Sequence, residues 1–160
     1  MIRYVLMTLF FLAVMVSVKS QDADTTEMFV KKDFLIILST KTYQSAFATA
    51  KKASAKYNIE LRLRGLSENK QTGLTFTKED CENEGWEYPA YVARGRWDDG
   101  VYVSIEYSDA YRGFSPGYYI VIVASGKRNN KELKDTYRKI KRTYKTAYFK
   151  TSEVYIGCMH

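Results

Sequence analysis

The chain has 160 residues, with 25 bases against 18 acids, two cysteines and a single histidine at its last position. Two cysteines and one histidine fall short of the four-ligand cluster that structural zinc needs, and a charge this mixed is too dilute for a dedicated nucleic-acid binder. No G-x-S-x-G, no cysteine beside a histidine and no phosphate-cradling glycine loop is present, so no cofactor and no catalytic residue is expected.

The opening stretch "MIRYVLMTLFFLAVMVSVKSQD" sets one base, Arg3, before an apolar run from Val5 to Val16, with Val18 and Ser20 ahead of Gln21. That is the layout of a secretory signal peptide over residues 1–20. The apolar run is short for a bilayer span, and no cysteine follows it for lipid attachment. The mature chain is therefore expected to be exported, periplasmic or extracellular, with no stable membrane insertion. Arg3 and Lys19 leave with the signal, so 140 residues remain with 23 bases and 18 acids. That is one domain's worth. In such a chain Cys81 and Cys158 most simply form a disulfide, and the long loop it closes is worth roughly 4 kcal/mol in the chain-entropy picture.

Residues 21–32, "QDADTTEMFVKK", read as a flexible polar leader, and a single domain then fills 33–160. It starts with "DFLIILST" at 33–40, an apolar strand without alternation, which implies cover on both faces. Tyr43, Phe47, Ala50, Ala53 and Tyr57 follow at helical spacing, and Asn58 is a natural stop. "IELRLRG" at 59–65 alternates apolar and charged residues, which predicts a strand with one wet face.

Residues 66–116 change texture, with many turn formers, Trp86, Trp97 and Pro89. Within them Val101, Val103, Ile105 and Tyr107 alternate with Tyr102, Ser104, Glu106 and Ser108, which predicts one buried and one exposed face. The turn signal "WDDG" before this strand predicts a hairpin pairing 90–97 with 101–108. "GYYIVIVASG" at 117–126 then repeats the character of "DFLIILST". Asn129 or Asn130 is placed to cap a second helix carrying Leu133, Tyr137, Ile140 and Tyr144, and "AYFKTSEVYIG" at 147–157 is extended.

The order β-α-β, insertion, β-α-β predicts an α+β fold of the ferredoxin-like, split β-α-β kind. An antiparallel sheet would carry two helices on one face, with an inserted hairpin between the halves and the other face open. The two halves resemble the SPOR (sporulation-related repeat) family, on "FLIILST" with "YQSAFATAKKASAKY" and on "YYIVIVAS" with the helix after it. The resemblance covers 33–65 and 117–157 and leaves 66–116 as an insertion. It implies non-catalytic binding of peptidoglycan glycan strands on the helix-free sheet face.

"YPAYVARGRWDDGVYV" at 88–103 is the densest site-like stretch. Tyr91, Trp97 and Tyr102 offer flat rings to sugar faces, while Arg94 and Arg96 offer forked donors to muramyl carboxylates; Tyr119 is a further candidate in a strand. The bland alternative packs these rings on the domain and pairs the arginines with Asp98, Asp99 or Glu106. "KRNNKELKDTYRKIKRTYK" gives a basic helix that fits an anionic wall polymer or simply a solvated face. The expected function is thus an exported wall-glycan binding module, with an envelope protein bound through the insertion as the competing reading.

Overall fold

The computed structural model describes residues 28–157. The expected signal peptide over residues 1–20 and Cys158 lie outside them. Six strands and three helices follow in order: β1 (Phe29–Thr40), α1 (Tyr43–Tyr57), β2 (Ser67–Asn69), β3 (Gly73–Thr75), α2 (Lys78–Asn83), β4 (Gly100–Tyr107), β5 (Tyr119–Lys127), α3 (Lys131–Lys141) and β6 (Tyr148–Tyr155). The main sheet has the order β4-β5-β1-β6, with every pairing antiparallel.

β1 and β5, the two apolar strands of the sequence, lie side by side at the centre of that sheet. This is why neither alternates: each is covered on both faces. Leu35, Val121 and Val123 turn to the helix side, while Phe34, Ile36, Ile120 and Ile122 turn to the other. β1 also begins earlier than the sequence suggests. Phe29 to Lys32, part of the expected leader, pair with Tyr155 to Ser152 of β6, and Lys32 is held at 2.8 Å by Asp99.

On the helix side α1 presents Ala46, Ala50 and Ala53 to the sheet, small side chains that let the helix sit close, with Tyr43, Phe47 and Tyr57 flanking them. Asn58 ends the helix in the left-handed conformation (φ 51°), which asparagine tolerates better than most residues. α3 is capped by the Asn130 side chain, which accepts from the Glu132 N–H (2.8 Å), and it buries Leu133 and Ile140. The Tyr57 hydroxyl donates to the Ile140 carbonyl (3.4 Å) and ties the two helices together.

Two expectations for the middle of the chain are corrected. Residues 59–65 form no strand. They touch the outer edge of β4 through a parallel bridge, Leu61 to Val103, with the Arg62 N–H on the Val103 carbonyl and the Val103 N–H on the Glu60 carbonyl, both at 2.8 Å. Consecutive positive φ values at Arg64 (60°) and Gly65 (69°) then turn the chain away. Nor do residues 90–97 pair with β4, whose sheet neighbour is β5. The inserted hairpin is instead β2–β3, where the Asn69 side chain accepts from the Gln71 and Thr72 N–H groups at 2.8 and 3.0 Å. Gly73 of β3 has φ 74° and lies so close to the Tyr107 ring that a Cβ would sit 2.2 Å from it.

Candidate functional site

The helix-free face is not open. Residues 91–97 and the loop after β4 fold across it, and Tyr111 seals its centre against Phe34 with ring centroids 5.0 Å apart. Gly95 passes directly over Phe34, where a Cβ would lie 3.0 Å from the ring. The side of β4 expected to be wet is therefore interior: Tyr102, Ser104 and Glu106 are all at most 1 % exposed.

Burying those polar groups requires partners. Arg94, fully buried, supplies most of them. Its Nε donates to Ser125 Oγ (3.0 Å), its Nη1 to the Tyr102 carbonyl, Ser104 Oγ and the Ile122 carbonyl (2.9, 2.9 and 3.2 Å), and its Nη2 to the Gly100 carbonyl (2.9 Å). Its guanidinium carbon lies 3.5 Å from the Tyr102 ring centre. Glu106 anchors the second half of the network. Arg64 Nη1 reaches its two carboxylate oxygens at 3.0 and 2.8 Å, and the Tyr91 hydroxyl donates to it at 2.5 Å. The Arg94 backbone N–H and the Tyr111 hydroxyl complete the shell at 3.3 Å each.

The electrostatics follow from this burial. Burial pushes the Tyr91 and Tyr111 hydroxyls well above their ordinary pKa, and the Glu106 charge adds to the effect. Burial lowers the Arg94 pKa. At Arg64 burial acts the same way, but the Glu106 and Asp98 carboxylates together outweigh it and hold the group above its usual value.

Of the six side chains expected to meet a ligand, three serve the interior instead. Arg94 has its donors taken up by the strands. Tyr102 is 1 % exposed and its hydroxyl is bound by Asp98. Tyr119 lies on the helix side rather than the helix-free side, with its hydroxyl donating to the Gly73 carbonyl (3.1 Å); burial, then the Glu68 charge, pushes its pKa up to about 12.

Of the remaining three, Tyr91 gives its hydroxyl to Glu106 and only the side of its ring reaches the rim, where Arg96 and Trp97 lie. Tyr91 and Arg96 line a hollow of about 260 Å³ with Val92, Ala93, Ala110, Val154 and Tyr155. Trp97 is adjacent in the chain and 65 % exposed. The Arg96 guanidinium carbon lies 4.5 Å from the Trp97 ring centre and 4.9 Å from that of Tyr155, and its Nη2 donates to the Gly157 carbonyl. Its Nε, although buried, has no hydrogen-bond partner among the described residues. Sequence reasoning did not pair Tyr155 with this group, because nothing local connects a C-terminal strand to residue 96.

A second hollow of about 170 Å³ lies near the Tyr148 end of β6, among Ser39, Phe114, Tyr118, Tyr148 and Lys150. Lys150 and Lys41 there stack on Phe114 and Tyr118 at 4.8 and 3.7 Å.

Cys81 is buried in α2 and Cys158 lies outside the described residues, so the bond between them stays an expectation. Among the described residues no His, Cys, Asp and Glu side chains gather in a group of three or more that would hold a metal ion. No helix among them is long and apolar enough to cross a membrane. Comparison with protein-family models, with curated proteins and with solved structures found no match.

Proposed function

We propose that the protein is an exported, non-catalytic module that binds peptidoglycan glycan strands at the rim of the helix-free face rather than across its centre. The observation that carries this reading is the Trp97–Arg96–Tyr155 group. A 65 % exposed indole has no role in the core, and beside it a guanidinium is held between two rings at a 260 Å³ hollow, its Nε without a partner among the described residues. An exposed ring stacks on the apolar face of a pyranose. A fixed arginine pairs with a lactyl or peptide carboxylate. The hollow is smaller than the ~300 Å³ at which drug-sized sites begin, so it suits one ring or one carboxylate arm of a longer strand. The rest of the strand would run over the surface.

The test is retention on amidase-treated peptidoglycan. The wild-type protein should be retained at low salt, and Trp97→Ala should weaken retention about tenfold, the loss of roughly one stacking contact. No retention of a folded wild-type protein overturns the proposal. Retention that depends on envelope proteins in the wall preparation overturns it in favour of protein binding through the insertion.

A further inference from the structure

The positive charge of the molecule is not spread over it. α1 and α3 with the turn after α3 carry ten bases (Lys51, Lys52 and Lys56; then Lys131, Lys134, Arg138, Lys139, Lys141, Arg142 and Lys145) against two acids, Glu132 and Asp135. The rest of the chain holds 15 bases and 16 acids. The whole positive excess thus lies on the helix layer, on the opposite side of the sheet from Trp97. All ten bases are exposed except Lys141, which is half-buried. Asp135 is already paired with Arg138 at 2.6 Å.

Helix stability does not account for this arrangement. Bases in a last turn complement the helix dipole, which suits Lys56, Arg138, Lys139 and Lys141. Lys131 and Lys134 stand at the first turn of α3, where the same dipole disfavours them. They add to a continuous field at a local cost. Since Lys139 reaches the Tyr57 carbonyl at 3.4 Å, the charged surfaces of the two helices are contiguous.

We infer that the helix layer is a docking surface for a linear, repeating polyanion, a polymer carrying phosphate or carboxylate groups along its length. Eight of the ten bases are lysines, compact point charges that follow a mobile chain without the directional fork of arginine. α1 at 15 residues gives the surface a length of about 22 Å, enough for several repeating charges at once. A lipid surface fits less well. Interfacial binding also inserts apolar side chains, and the large exposed ones, Met28, Tyr88, Trp97, Tyr148 and Ile156, all lie off the two helices. This inference stands apart from the glycan proposal and uses none of its residues.

The experiment measures fluorescence anisotropy of a labelled linear polyphosphate with the full mature protein. Affinity should fall steeply between ~20 and ~200 mM salt. Lys52→Glu with Lys134→Glu should weaken binding at least about tenfold, whereas Lys78→Glu with Arg112→Glu, the same change in net charge placed off α1 and α3, should weaken it less than about threefold. Circular dichroism melts check that both pairs fold, and Trp97→Ala should bind polyphosphate as the wild type does. Equal loss from both pairs overturns the inference, because net charge alone would then explain it. Absence of wild-type binding at low salt overturns it too, as does tighter binding to anionic phosphatidylglycerol vesicles than to the polymer.

Discussion

The two sides of the central sheet are both interior, yet they are built from opposite materials. On the helix side Leu35, Val121 and Val123 meet alanines of α1 and Leu133 and Ile140 of α3, and the contact is apolar almost throughout. On the other side a small apolar cluster around Phe34, Ile36 and Tyr111 passes into the Arg94–Glu106–Arg64 network. The difference shows what an insertion can do to a split β-α-β sheet. Residues 91–97 close the free face by covering the polar residues of β4, itself part of the insertion, while Arg64 joins from the segment after α1; the rim is left as the accessible part.

The two kinds of interior should fail differently. Glu106→Ala strands Arg64 in a largely buried site, and breaking such a pair by removing one partner costs about 3–5 kcal/mol. Against a total of ~5–15 kcal/mol this threatens folding altogether. Urea unfolding of Glu106→Ala beside Leu35→Ala, for which ~2–5 kcal/mol is expected from the helix side, sharpens the comparison. If the Glu106 variant is nearly as stable as wild type, the insertion is a loose cover and not part of the fold.

Alkaline pH probes the same asymmetry. Tyr91 and Tyr111 have folded pKa values raised above the unfolded value of about 10, so the native state holds their protons more tightly. Their contribution to stability is complete below pH ~10 and is lost as pH rises through the folded values. Tyr119, at about 12 on the helix side, adds to the loss in the same direction. Urea midpoints should therefore drop between pH ~8 and ~11, and Tyr91→Phe should make that drop shallower. An unchanged slope in Tyr91→Phe would mean that its hydroxyl is not buried against Glu106.

Smaller effects follow at the surface. Asn130→Ala removes the α3 cap and should cost about 1 kcal/mol. Trp97→Ala should leave stability within ~0.5 kcal/mol while weakening wall retention, which separates rim from interior. A large loss of stability in Trp97→Ala would move the indole from binding into packing.

Much of the framework was legible in the sequence because it rests on local signals. The unalternated strands gave β1 and β5, the four- and three-residue spacings gave α1 and α3, and Asn58 and Asn130 marked helix ends. The middle was not legible, for a physical reason. Alternation in "VYVSIEYS" reports that two faces differ, not that one of them is wet. What covers the second face is Arg94, whose partners Ser104 and Ser125 lie 10 and 31 residues away, and Arg64, 42 residues from Glu106. The one usable hint was Glu106 itself, a carboxylate between Ile105 and Tyr107 in a chain with arginines at 62, 64, 94 and 96. Arg96 and Trp97 were recognisable as a ring beside a fork. That Arg96 would face the hollow while Arg94, two residues earlier, turned inward depends on the covering loop and not on their types.

The most direct test of the binding account is an amide and indole NMR titration with amidase-digested glycan strands. The account predicts shifts at the Trp97 indole N–H and at the Arg96 and Tyr155 amides, with α1, α3 and the interior of β4 unmoved. Shifts confined to the Tyr148 end of β6, shifts confined to the helices, or no shift at saturating glycan would contradict it.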